Sequence, residues 1–251
     1  MVESRVPTSM RMLRIMEILA TADRPLSVLE INAGLGLPKQ TIHRLCSRLT
    51  AAGYLARAGS GKLEAGHLFH RMARGVMMAR HFNIIRRQLL IDAAGRTGET
   101  INLAVPDAAG MIYIDRVESD WPLRIQFAVG ATVPFHCTAG GKCYFASLSV
   151  PERRCLLERI ELRRLTANTI CDKDRLLDEI AQVADQGYAL DNEEFLDGMV
   201  AAAVPVCGTD ENFFAALAVH GPTQRLTPDA AVAARHTLLE CAAKLRHSIA
   251  H

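Results

Sequence analysis

The chain has 251 residues, 49% of them hydrophobic, and a formal charge of +2 at pH 7, which is enough for two domains with separate cores. No apolar run approaches the roughly 20 residues of a membrane span, and the opening MVESRVPTS lacks an apolar signal segment, so a cytoplasmic protein with no membrane partner is expected. Seven scattered cysteines, odd in number and without a C-x-x-C pair, argue against a disulfide framework.

The charge is unevenly distributed. Residues 1–66 hold nine basic groups against five acidic ones, and the remainder 20 against 22. A basic front end on a near-neutral body points to a polyanion as the partner of the front alone.

In chain order, Leu13, Met16, Leu19 and Ala20 fall at helical spacing behind Thr8 or Ser9 as cap, and Asp23-Arg24-Pro25 ends that helix. A second helix is predicted from about Ser27, with Leu29, Ile31 and Ala33 turned inward. Gly34-Leu35-Gly36-Leu37-Pro38 breaks the chain, and Pro38 suits the first position of the next helix because its missing N–H needs no partner there. That third helix, about Pro38 to Ala52, buries Ile42, Leu45 and Leu49. Gly53 ends it, and Tyr54–Arg57 and Lys62-Leu63 flank Ala58-Gly59-Ser60-Gly61 as the strands and tip of a wing.

Burying that stripe leaves Lys39, Gln40, Thr41, His43, Arg44 and Arg48 toward solvent. Gln pairs bidentately with adenine and Arg with guanine, while Thr, Lys or a second Arg holds phosphates. Residues near the helix N-terminus enter the groove first, and Arg57 and Lys62 on the wing would meet the backbone. The layout is that of a winged helix-turn-helix, with double-stranded DNA as partner; a helical bundle with a solvated basic face is the plainer alternative.

Residues 65–80 continue as a helix with Leu68, Phe69, Met72, Val76 and Met77 apolar, placed as a linker. Ile84, Ile85, Leu89, Leu90 and Ala93 open a second domain. Alternation follows in Ile101, Leu103 and Val105, then in Met111, Tyr113 and Asp115, as a hairpin. A third strand is predicted at Leu123–Phe127, helices near 139–148, 151–159 and 173–186, strands near 200–206 and 213–219, and a closing helix from about Pro228 to His247. The expected architecture is α/β (α+β), with a mixed sheet and packed helices in the second domain.

The run Gly36-Leu37-Pro38-Lys39-Gln40-Thr41-Ile42-His43-Arg44-Leu45 with Gly53-Tyr54-Leu55 resembles the N-terminal domain of IclR-type bacterial regulators. Three later segments resemble that family's effector domain: Val129 to Lys142, Gly187 to Glu194 with Gly198, and Ala218-Val219-His220-Gly221-Pro222. The resemblance implies a winged helix-turn-helix over 1–64, a linker helix over 65–81 and a GAF-like effector-binding and oligomerisation domain over 82–251. It further implies dimers or tetramers on partly palindromic promoter sites, control of catabolic operons with repression favoured, and a small organic acid as effector.

Thr138 can cap a helix beginning near Ala139, whose N–H groups and positive dipole end favour a carboxylate, with Gly140 and Gly141 allowing its approach. The same glycines would equally serve close packing on a sheet. Asp191 lies in the pocket-lining segment of relatives, or caps a local turn. Ala201 and Ala203 share one strand face, Ala218 and His220 another. Some relatives carry Cys or Ser where this chain has Ala201 and Ala218, which implies a more apolar far end, offset in part by His220. Met111, Tyr113 and Phe127 are candidate walls.

Two rival functions remain at this point. Cys137 beside His136, with Asp191 and His220, could be assembled as a Cys-His hydrolase, although no nucleophile signature surrounds Cys137. Winged helices also serve as protein-interaction modules. His67 and His70 are spaced to share a helix face near Glu64 and His81, a weak metal pattern. No enzyme activity, metal or cofactor is expected.

Overall fold

A computed structural model describes residues 7–22, 24–78, 83–122, 125–208 and 211–249. The chain divides into two compact units between Met77 and Met78. Among the described residues no helix is long and apolar enough to cross a membrane.

The first unit contains helices α1 (Thr8–Ala20), α2 (Val28–Ala33) and α3 (Lys39–Ala51), the hairpin β1 (Leu55–Arg57) and β2 (Leu63–Ala65), and α4 (His67–Met78). Ile15, Met16 and Leu19 from α1, Ile31 from α2, and Ile42, Leu45, Cys46 and Leu49 from α3 form one core with Leu55 and Leu63. Leu26 bridges Leu63, tying the chain before α2 to the hairpin. Between β1 and β2 lies a single 3-10 turn, Gly59–Gly61.

Several local expectations change. The cap of α1 is Pro7 with no side-chain bond, and Thr8 and Ser9 lie inside the first turn. The helix ends at Ala20, where Thr21 bonds back to the Glu17 carbonyl; Asp23 lies outside the described residues. Leu29 is 80% exposed and Ala33 is also exposed, because the inward face of α2 is the one that carries Val28 and Ile31. Pro38 caps α3 instead of opening it.

The second unit runs α5 (Asn83–Thr97), β3 (Thr100–Asp107), β4 (Gly110–Val117), β5 (Thr132–Val133), α6 (Ala139–Ser147), α7 (Val150–Arg159), α8 (Lys173–Gln186), β6 (Ala189–Asn192), β7 (Met199–Cys207), β8 (Phe213–Pro222), α9 (Pro228–Ala233) and α10 (Arg235–Ile249). The six strands form one sheet in the order β5-β4-β3-β8-β7-β6. Every pairing in it is antiparallel, so the sheet is not mixed. Helix α6 packs on β7 and β8 with α8 behind it, and α5 and α10 pack on β3, β4 and β7.

No strand covers 125–128, and Leu123 lies outside the described residues. The Ile125 carbonyl accepts instead from the Arg116 guanidinium and His220 Nε2, so side chains satisfy what a neighbouring strand would have. The predicted closing helix is two, which meet at Ala234.

A β-bulge between Leu103 and Ala104 resets the facing of β4. Tyr113 is opposite Ala104, yet Asp115 is opposite Leu103, so Asp115 leaves the face of Met111 and Tyr113. It pairs with Arg86 at 3.0 Å and Arg87 at 2.9 Å on α5, and Arg116 takes the other side.

Candidate functional site

The turn before α3 is closed by one side chain. The Asn32 amide donates to the Leu37 carbonyl at 2.8 Å and accepts from the Leu37 N–H at 3.0 Å. Gly36 sits at φ +59°, a conformation that side chains disfavour. A capping box of Ser27 and Glu30 starts α2, and Arg24 holds Glu30 at 2.8 Å. These contacts fix α3 by its N-terminal end.

With Ile42, Leu45, Cys46 and Leu49 buried, Lys39, Gln40, His43, Arg44 and Arg48 are exposed and Thr41 is half-buried. Positions 39, 40, 43, 44 and 48 share one helix face by their three- and four-residue spacing. Arg57 is exposed at the end of β1 and Lys62 half-buried before β2. The described residues thus put one row of cations and amides on α3, and two more cations on the hairpin.

The second unit holds a cavity between the start of α6 and the sheet. Its walls include Asn102, Met111, Tyr113, Thr138, Ala139, Gly140, Asp191, Phe195, Met199, Ala201, Ala218 and His220. It is narrow, with a cavity volume of about 20 Å³. Strand register brings the parts together: Asp191 is opposite Ala201, Ala201 opposite His220, and Asn102 opposite Ala218.

Thr138 caps α6. Its hydroxyl donates to the Pro134 carbonyl at 2.7 Å and accepts from the Gly141 N–H at 3.2 Å. A Cβ on Gly141 would lie 2.2 Å from the Phe135 carbonyl oxygen, and one on Gly140 would lie 3.2 Å from Ala216 Cβ. The glycines therefore pack closely on their surroundings, and Gly140 also borders the cavity.

Asp191 is likewise a turn cap and a cavity wall. Oδ1 accepts from the Glu194 N–H at 2.9 Å and the Phe195 N–H at 3.3 Å, while buried Oδ2 has no partner among the described residues. Burial pushes its pKa up to about 7, against the pull of the Glu194 N–H. Phe127, expected as a wall, is not one. It stacks behind, with ring centroids 5.9 Å from Tyr113, 5.4 Å from Phe195 and 5.8 Å from His220.

A family model described as the IclR helix-turn-helix domain matches residues 9–59, and one described as the bacterial transcriptional regulator IclR C-terminal domain matches residues 77–247. The chain belongs to the IclR family. It is a ligand-responsive, DNA-binding transcription regulator. Among curated proteins it is 37% identical over 222 residues to one named probable transcriptional regulator SauR, from Cupriavidus necator, covering 88% of either chain. It is 29% identical to the acetate operon repressor of Salmonella typhimurium, over 91% of this chain and 84% of that one. Among solved structures, an IclR homologue from Microbacterium hydrocarbonoxydans complexed with 4-hydroxybenzoate superposes with a TM-score of 0.61 at 21% identity, over 96% of this chain and 98% of that one.

Several residues of this IclR-type cavity escape a reading of the sequence. Asn102, Ala104 and Ala216 alternate with apolar neighbours as a solvated face would, yet they are themselves buried. Lys142 is fully buried behind the cavity, with Nζ 2.6 Å from Glu194 and 3.0 Å from Glu179. Burial opposes its charge, yet the two carboxylates hold its pKa above the ordinary lysine value.

The groups of the hydrolase reading do not assemble. Burial, with Asp191 and Glu194 nearby, pushes the Cys137 thiol far up, and His136 Nε2 is engaged with the Arg163 carbonyl at 3.0 Å. His67 packs over Gly53 and His70 is exposed; His81 lies outside the described residues. No group of three His, Cys, Asp or Glu able to hold a metal occurs among the described residues.

Proposed function

We propose that this IclR-family regulator represses a catabolic operon from a partly palindromic promoter site, as a cytoplasmic dimer or tetramer, and that a small carboxylate bound in the second unit changes its hold on DNA. Lys39, Gln40, Thr41 and Arg44 read bases, His43 and Arg48 support them, and Arg57 and Lys62 grip the backbone. The effector's carboxylate meets the first N–H groups of α6 at Ala139 and Gly140, and its remainder lies against Asp191, Ala201, Ala218 and His220. We assign residues 1–64 to the DNA-binding domain, 65–81 to a linker that contains α4 (His67–Met78) and carries the effector's signal, and 82–251 to a GAF-like effector and oligomerisation domain; residues 79–82 lie outside the described residues.

The observation that carries this reading is the capped start of α6 opening on a buried cavity with an unpartnered carboxylate oxygen. Repression and catabolic control gain support from the named acetate operon repressor, and the carboxylate from the 4-hydroxybenzoate complex. The division of the chain at Met77 supports separate domains. An enzymatic role is disfavoured because a buried, protonated thiol at Cys137 is a poor nucleophile.

Promoter-fragment binding tests the DNA half. Affinity should fall steeply with salt, Arg44→Ala should relax sequence preference, and Lys62→Ala should weaken all sequences alike and reduce the salt slope by about one. Retained promoter binding in both Arg44→Ala and Arg57→Ala would refute this reading surface. Acids that raise the melting temperature are then added to the promoter assay, where a release of DNA is the expected response.

A further inference from the structure

Asn102 stands in the middle of β3, 1% exposed, on the strand face that borders the cavity. Its amide nitrogen lies 2.6 Å from His220 Nδ1, and its carbonyl oxygen is buried with no partner among the described residues. The orientation of this amide follows from the histidine. His220 Nε2 faces the Ile125 carbonyl at 3.3 Å, and a carbonyl can only accept, so Nε2 carries the proton. The ring is neutral at physiological pH, because burial and the Arg116 guanidinium lower its pKa to about 4. Nδ1 is therefore an acceptor, the Asn102 Nδ2–H must donate to it, and Oδ1 is left as the acceptor that nothing fills.

We propose that Asn102 selects the effector by demanding a hydrogen-bond donor from it, so that the effector is a small acid with a hydroxyl remote from its carboxylate. This deepens the carboxylate reading and rests on it. An apolar tail against Asn102 Oδ1 would leave a buried acceptor unpaired, whereas a hydroxyl donates to it. The spacing follows from the sheet. Gly140 sits over Ala216, Ala216 is opposite Ala104, and Asn102 lies two residues from Ala104 along the strand. Two residues span about 7 Å, which sets the hydroxyl two or three carbons from the carboxyl carbon, as in 3- and 4-hydroxy acids. Asp191 Oδ2 can accept a second donor of the same ligand.

The test uses matched pairs on the full-length protein: 3-hydroxybutyrate against butyrate and 4-hydroxybutyrate against butyrate, with the methyl ester of each, by calorimetry. The wild type should bind at least one hydroxy acid about 10- to 100-fold more tightly than its deoxy partner. Asn102→Leu should bring that ratio to within about threefold by weakening the hydroxy acid alone. The wild-type ratio needs no variant, so it stands if Asn102→Leu does not fold. Equal binding of hydroxy and deoxy acids by the wild type would overturn the role of Asn102 and leave the carboxylate reading intact. Esters binding as tightly as acids, or no pair binding, would overturn the carboxylate reading and this inference with it.

Discussion

Replacing Lys142 by Met removes a buried cation while keeping the length of its side chain. Lys142 is inaccessible to solvent, and its ammonium is the partner of Glu194 at 2.6 Å, itself 6% exposed. Glu179 is 30% exposed and can rehydrate, so the cost falls on Glu194. Removing one member of a buried pair costs about 3–5 kcal/mol, because the remaining charge is left uncompensated. In a unit of this size that lowers the melting temperature by about 6–20 °C. Burial already raises the Glu194 pKa, and losing the ammonium removes the main force holding it down. An acid whose folded pKa is raised keeps its proton where the unfolded chain has lost it. The variant should therefore recover relative to the wild type as pH falls from about 8 toward 5. Thermal denaturation across that range checks the trend. Adding Glu194→Gln to Lys142→Met should return most of the loss at pH 8. A single variant melting within about 2 °C of the wild type, or a double variant no more stable than the single, would refute the argument.

Two further substitutions separate packing from binding at the start of α6. Gly141→Ala forces a Cβ against the Phe135 backbone at 2.2 Å and should cost about 3 kcal/mol or more in chemical denaturation, whereas Gly140→Ala meets only the Ala216 methyl at 3.2 Å. Gly140→Ala should keep a near-native melting temperature and lose thermal stabilisation by carboxylates; if it binds them as the wild type does, the α6 start is not their site. In acid, Asp191 and His220 act in opposite directions. The fold resists protonating His220, so that group's contribution is lost as pH falls from about 6.5 through about 4; Asp191 holds its proton up to about 7, so its contribution grows as pH falls through 7 toward 4. Between pH 8 and 4 the stability of Asp191→Asn relative to the wild type should fall by about 4 kcal/mol; a pH-independent difference would show that Asp191 ionises normally.

The DNA-reading half was legible because its signals are local. The glycine-broken turn, Pro38 and the stripe of Ile42, Leu45 and Leu49 each act within a few residues, and α3 follows them to within one position. What failed there failed for lack of length: a six-residue α2 has no periodicity to separate Ile31 from Leu29 and Ala33. Asn32, the side chain that closes the turn, reads in the sequence as one more polar residue at a helix end.

Apart from Met111 and Tyr113, which the strand pattern offers as walls, the cavity was legible where the resemblance supplied it. Thr138, Gly140, Asp191 and His220 border it together, but the period-two rule could not find Asn102. Ile101, Leu103 and Val105 alternate with Asn102 and Ala104, and that pattern predicts one buried face and one wet one. Helices cover both faces of this sheet, so the polar position of the alternation is interior. A buried polar residue between apolar neighbours carries the opposite meaning from a solvated one, since it must be paired or be waiting for a partner. The bulge at β4 compounds this by sending Asp115 to the Arg86 and Arg87 side and Arg116 toward His220, where its positive charge helps keep the imidazole neutral. Burial and the Arg116 charge that the bulge brings to His220 together keep the ring neutral, and the neutral ring orients the Asn102 amide, a chain of cause that runs through three strands and has no counterpart in any local run of sequence.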